Sequence, residues 1–203
     1  KEIIESGKLG TIEHVQAVNN VPYGGVYFHN WYRDEKETGG LFLQKATHDF
    51  DYINYLLGIK PVMICAMKSK QIFKGDKPAG LYCRDCDEKE TCPEGPFVMK
   101  YIKHDDPHGD MCCFAGDTGN EDSGSALIRY ETGMHVSYSQ NFFARKASAS
   151  RGARLLGYNG TLEFDWYKDE LKVFMHNTSR VETYKTDSAA MSHGGGDNVL
   201  AYN

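Results

Sequence analysis

The sequence has no run of lysine or arginine, and its 23 basic residues against 28 acidic ones leave a formal charge of −5. A nucleic-acid surface needs clustered cations to neutralise phosphates, so no nucleic-acid partner is expected. No apolar stretch approaches the length that crosses a bilayer, which argues against a membrane partner. No Gly-x-Gly-x-x-Gly follows a strand-like run, so the phosphate turn of a dinucleotide-binding domain is missing. There is no second C-x2-C pair beside the single one at Cys83 and Cys86. An initiator methionine and a basic-then-apolar leader are lacking too. Lys1 to Gly10 reads as the end of a helix capped by Gly7, and Val199 to Asn203 as the start of a helix left unfinished. Both ends raise the expectation of a piece of a longer protein.

What is present suits an ordinary globular domain: 203 residues, 40% hydrophobic and 25% charged. The richest segment runs from Gly39-Gly40 to Asp51 and continues toward Gly58. At about 100° per residue, Gln44, Lys45, His48, Asp51, Tyr52 and Tyr55 share one side of a helix, with Phe42, Leu43, Ala46, Phe50, Ile53 and Leu57 opposite. Such a helix can pack on a core and hold acid–base groups outward; a plain wetted face is the competing reading. The glycine pair is expected to let a ligand approach the backbone.

The remaining pattern is strand-like. Thr11 to Asn19 and Pro61 to Met67 are strand signals, and Tyr23 to Thr38 reads as a loop. From Ser125 onward, apolar runs near residues 126–130, 134–141, 154–156, 161–164, 171–174 and 181–184 are separated by turn signals, Asn159-Gly160 the strongest. We expect an α+β domain: a large open, mostly antiparallel sheet, with helices packed on one face. Residues 68–122, rich in Gly, Pro, Asp and Cys, are expected to be an insertion in a single domain over 1–203.

Several motifs together resemble the C-terminal domain of the Gfo/Idh/MocA oxidoreductases: Ser6 to Ile12, Trp31 with Arg33, Gly39-Gly40, His48-Asp49-Phe50-Asp51, Gly58 to Pro61, Tyr130 to Gly133, Gly157 to Glu163, and His193 to Asp197. The resemblance implies a dehydrogenase whose separate N-terminal Rossmann domain holds NAD or NADP. This domain would bind a sugar, polyol or derivative and form a homo-oligomer through its open sheet. It also implies that the family's catalytic lysine would lie upstream of Lys1, leaving this chain inactive by itself. On the active-site helix, His48 takes the family's histidine position, and Gln44 stands where an aspartate is common. Glutamine accepts no proton, yet it can hydrogen-bond a hydroxyl. We therefore expect His48 and Lys45 to be catalytic and Gln44, Trp31, Arg33 and His193 to contact substrate. Loop packing competes for Trp31 and Arg33, a flexible link for His193, and a cap or ion pair is the expected role of Asp51. A non-catalytic ligand-binding or regulatory protein of the same fold is the alternative.

Cys83, Cys86 and Cys92 form C-x2-C-x5-C, and Cys112 follows about twenty residues later. Two thiolates at C-x2-C spacing can reach one tetrahedral ion, so a structural zinc on Cys83, Cys86, Cys92 and Cys112, or one using Cys113, His104 or His108, is the candidate metal site. Free thiols are the competing reading. Reduced cysteines fit a cytoplasmic setting.

Overall fold

The structure, a computed structural model, describes residues 1–95 and 109–185. His104, His108 and His193 lie outside the described residues. A short helix, α1 (Glu2–Glu5), leads to strand β1 (Ile12–Asn20). Two 3-10 turns (Gly24–Phe28 and Trp31–Arg33) and a short helix, α2 (Glu35–Thr38), occupy the stretch expected to be loop. A π-helical turn (Phe42–Ala46) then runs into α3 (Thr47–Leu57). The later strands are β2 (Pro61–Ser69), β3 (Ser123–Tyr130), β4 (His135–Asn141), β5 (Ser150–Gly157), β6 (Gly160–Asp165), β7 (Glu170–Met175) and β8 (Val181–Lys185).

All eight strands form one open sheet in the order β2-β3-β4-β1-β5-β6-β7-β8, as expected of the α+β class. It is not a plain meander. β1 inserts between β4 and β5 and runs parallel to β4, with Val15 opposite Val136, while every other pairing is antiparallel. The first strand in the chain is therefore central, and it joins the two hairpin sets that the turn signals announce.

Alternation decides which face is covered. Val15, Ala17, Ala126, Ile128, Val136, Tyr138, Ala153 and Leu155 are buried and pack with Ala46 and Ile53 of the helix into one core. Burying an isoleucine such as Ile53 contributes roughly 1.5–3 kcal/mol. A second core gathers Val21, Tyr27, Phe28, Leu41, Phe73, Cys113 and Phe142. It joins the irregular segment between β2 and β3 to the turns after β1. Among the described residues, no helix is long and apolar enough to cross a membrane.

His29 belongs to this second region. Its ring is fully buried, Nδ1 donates to the Met111 carbonyl at 2.6 Å, and burial lowers its pKa to about 4 despite that bond. The unfolded chain binds the proton near 6.5, so the neutral-ring preference stabilises the fold fully above that pH and is lost progressively as pH falls toward 4. We predict a loss of about 3 kcal/mol over that window from this group. Urea unfolding at several pH values measures it, and a His29→Gln variant should show a shallower pH slope than the parent.

Candidate functional site

The helix that carries the candidate site starts in a way its glycines alone do not reveal. Gly39 (φ 71°) ends α2 in the left-handed region, and Gly40 (φ 100°) turns the chain into the π-helical turn. The space at Gly40 is not open to a ligand. A Cβ there would lie 3.4 Å from Glu121 Oε2, and Glu121 accepts the Phe42 N–H at 2.8 Å. An internal carboxylate thus occupies the helix start that a phosphate would otherwise favour. The described residues do not fit a dinucleotide phosphate at this point.

The wide π turn also changes the expected faces, because a 100° count assumes an unbroken α-helix. His48 is exposed, one turn beyond Gln44 and Lys45, which are half-buried. Leu43, expected inward, is 60% exposed. Tyr52, expected outward, packs edge-on against Phe164 and Trp166, and its hydroxyl donates to the Gly152 carbonyl at 3.2 Å. Asp51 is exposed on the middle of the helix rather than capping an end.

Asp49 is the residue that the sequence reading passed over. It is fully buried, and its carboxylate accepts three hydrogen bonds, at Oδ2 from Asn19 Nδ2 (2.7 Å) and Tyr138 Oη (2.8 Å) and at Oδ1 from Arg151 Nε (2.9 Å), with Arg151 Nη2 in ion-pair contact with Oδ1 at 2.7 Å. These donors come from β1, β4 and β5, so one carboxylate ties the helix to three adjacent strands. Burial works against the Arg151 charge, but Asp49, with Tyr167 and Tyr23, holds the guanidinium pKa above its usual value. A signal was present: Asp49 lies three residues after Ala46 and four before Ile53, both buried. A carboxylate on an apolar stripe demands a buried partner.

Around this network stands a wall of aromatic rings. Lys45 Nζ sits 4.4 Å above the Tyr27 ring, and Arg151 lies 5.1 Å over Trp166. The Tyr23 ring lies 6.1 Å from the Tyr27 ring. Tyr27 meets Tyr32 edge-on at 5.4 Å, and Tyr32 stacks on Trp31 at 3.9 Å. Trp31 is 51% exposed, so ring contacts connect it to Lys45. Burial lowers the Lys45 pKa, Arg151 lowers it further, and Asp49 opposes both. Tyr23, Tyr27, Tyr167 and Arg151 were not anticipated, because residues so far apart in sequence announce no shared motif.

Arg33, expected at the rim, is buried instead. Its guanidinium donates to the Cys112 carbonyl (2.9 Å), Asp117 (2.7 Å) and Thr118 (2.8 Å), so its charge holds the irregular segment together. The zinc expectation is not supported either. The bridge between Tyr82 and Met111 brings Cys83 and Cys112 together, and their thiols hydrogen-bond; this favours the Cys112 thiolate, lowering its pKa to about 6. Cys86 and Cys92 sit in the local turns that follow, and among the described residues no three Cys, His, Asp or Glu side chains are placed to hold a metal ion. All six cysteines are free.

A hollow of about 630 Å³ lies away from this helix, on the outer sheet face, where it is lined by Gln16, Cys65, Met67, Leu127 and Ser137 among others. The helix-side site is instead an open shelf carrying His48, Gln44, Lys45 and the aromatic wall.

Residues 1–163 match the model of the GFO/IDH/MocA C-terminal domain. The chain belongs to the Gfo/Idh/MocA family. This Gfo/Idh/MocA domain is 27% identical to a Bacillus subtilis (strain 168) protein named "Putative oxidoreductase YteT", over 98% of the chain and 55% of that protein. Among solved structures, a levoglucosan dehydrogenase in complex with NADH and levoglucosan aligns with a TM-score of 0.66 at 17% identity, covering 99% of the chain and 50% of its own. The UDP-N-acetylglucosamine 3-dehydrogenase GnnA from Acidithiobacillus ferrooxidans aligns with a TM-score of 0.55 at 12% identity, over 99% and 48%. At those identities the likeness speaks for the fold. The chain spans about half the length of the relatives it matches.

Removing the Asp49 carboxylate should cost far more than removing one of its donors. Asp49→Ala leaves Arg151 and Tyr138 facing an empty polar site, and we expect a loss of about 3–5 kcal/mol. Tyr138→Phe should cost about 1–3 kcal/mol. Urea melts of the two variants test this, and equal small losses would mean that the network does not hold the helix in place.

Proposed function

We propose that this domain is the substrate half of an NAD(P)-dependent dehydrogenase that oxidises a hydroxyl of a sugar or polyol by hydride transfer. The observation that carries the reading is the exposed His48, set one helical turn beyond Gln44 and Lys45 on the shelf anchored by Asp49. Family membership and the sugar-binding dehydrogenases among the similar folds support it. The dinucleotide belongs to a separate Rossmann domain, since Glu121 fills the helix start in this chain.

The residues of the shelf have complementary parts. Alcohol oxidation sheds a proton from oxygen as hydride leaves carbon, and an imidazole nitrogen can take and pass on that proton. His48 is the acid–base group. Gln44 orients a hydroxyl through its amide. Lys45, with its pKa lowered by burial and by Arg151, supplies a positive hydrogen-bond donor beside the reacting oxygen. Trp31 stands at the edge of the same aromatic wall.

We further propose that the uncovered sheet face joins two copies of the protein. Strand β2 is exposed along its whole length, and Met67 (76% exposed) and Leu127 (58%) border the outer hollow. An apolar edge strand left in water invites pairing and is usually covered. The free thiols suit a reducing compartment such as the cytoplasm.

Two measurements test these readings. In the full-length protein, His48→Ala should lower kcat by about 10²–10⁴-fold with the melting temperature unchanged, because the side chain is exposed. Near-normal turnover would remove His48 from the mechanism. Leu127→Glu should shift the protein to a monomer in light scattering; an unchanged oligomer would place the interface elsewhere.

A further inference from the structure

The charges on the shelf do not balance. Arg151 pairs directly with Asp49, while Lys45 lies over Tyr27 within reach of both charges: Arg151 opposes the Lys45 charge and Asp49 favours it. Two cations thus stand near one carboxylate, and that carboxylate already accepts three hydrogen bonds and the Arg151 ion pair. Arg151 directs Nε and Nη2 to Asp49 Oδ1, which commits one edge of its fork. The Lys45 ammonium rests on the Tyr27 ring, a contact with no negative charge. One positive charge is left over at the place where the substrate is expected to sit.

Beside this surplus are large rings that the fold leaves partly bare. Tyr23 is 44% exposed, Trp166 42% and Tyr167 41%. Trp166 is held by Arg151 and Tyr52, and Tyr23 lies against Tyr27 with ring centroids 6.1 Å apart. Rings fixed in this way offer flat apolar faces with a polar rim, suited to a ligand that is apolar on one side and hydroxylated at its edges.

We infer that the substrate of this site is a sugar acid, whose carboxylate is read by Lys45 and Arg151 while its ring or chain lies against the exposed aromatic wall. The inference rests on the dehydrogenase reading of the same shelf. A surplus of one charge matches a monoanion, so a carboxylate fits better than a doubly charged phosphate. Lys45 is then a specificity-determining residue as well as a donor at the reacting oxygen. Arg151 acts on the carboxylate while Asp49 fixes its position.

Calorimetric titration of the full-length protein, with NADH or NADPH present, compares matched pairs: D-galacturonate with D-galactose, D-glucuronate with D-glucose, and D-gluconate with D-glucitol. We expect at least one acid to bind roughly 10–100-fold more tightly than its neutral partner, the range for a charge-assisted contact. Lys45→Gln should bring that ratio close to one, while Lys45→Arg keeps most of it. Added salt should weaken the acid and leave the neutral sugar unchanged. Neutral sugars binding as well as their acids, or a ratio indifferent to Lys45→Gln, would overturn the inference. Nicotinamide reduction on the same pairs separates the two readings. Selective binding of an acid without any turnover would sustain the sugar-acid site and count against hydride transfer, whereas turnover of neutral sugars alone would do the reverse.

Discussion

The buried carboxylate of Asp49 is the constraint on which the candidate site depends. A charge taken out of water is tolerated only where donors replace the lost hydration. Asn19, Tyr138 and Arg151 do so from three neighbouring strands. The cost of leaving any of them unmade pins α3 at one rotation and height over the sheet. His48, the residue just before it in the chain, is turned outward as a consequence. The polar network therefore does for orientation what Ala46 and Ile53, small and smooth on the same stripe, cannot do by packing alone.

That network also links the fold to the proposed chemistry. Arg151 connects the buried carboxylate to the exposed shelf, because its guanidinium meets Asp49 on one side and Trp166 on another. Lys45 feels both charges. The central position of β1 matters here: only a strand between β4 and β5 can bring Asn19 beside Tyr138 and Arg151 at once. The two hydrophobic cores divide the work. One seats the helix on the sheet, and the other supports the turns that carry Tyr23 and Tyr27.

Much of the fold was legible because strands and turns are written locally. Alternation in Ser123–Tyr130 and the Asn159-Gly160 turn needed no distant information. The insertion of β1 beside β4 was not legible, since a parallel pairing leaves no turn in the sequence to mark it. His48, Gln44 and Lys45 stand out in the sequence by their spacing on one helix, which is why they are the proposed site residues. Arg33 was misplaced because an arginine near a tryptophan looks alike whether it meets a ligand or, as here, three groups of a distant segment. The cysteines misled for a related reason. C-x2-C spacing permits a metal, but the Tyr82–Met111 bridge brings Cys112 to Cys83 without placing three metal-binding side chains together among the described residues.

The sequence by itself determined the class of fold, the family and the helix on which the site is proposed. Each is carried by residues close together in the chain, through periodicity, turn chemistry or motif. Only the tertiary structure decided that Asp49 is buried and His48 exposed, that Glu121 fills the space at Gly40, and that Lys45 and Arg151 leave a surplus charge beside bare aromatic rings. Those outcomes depend on desolvation and on partners 30 to 102 residues away in sequence, such as Asn19 and Arg151 for Asp49. Burial and charge balance are properties of the assembled neighbourhood, and no local pattern encodes them.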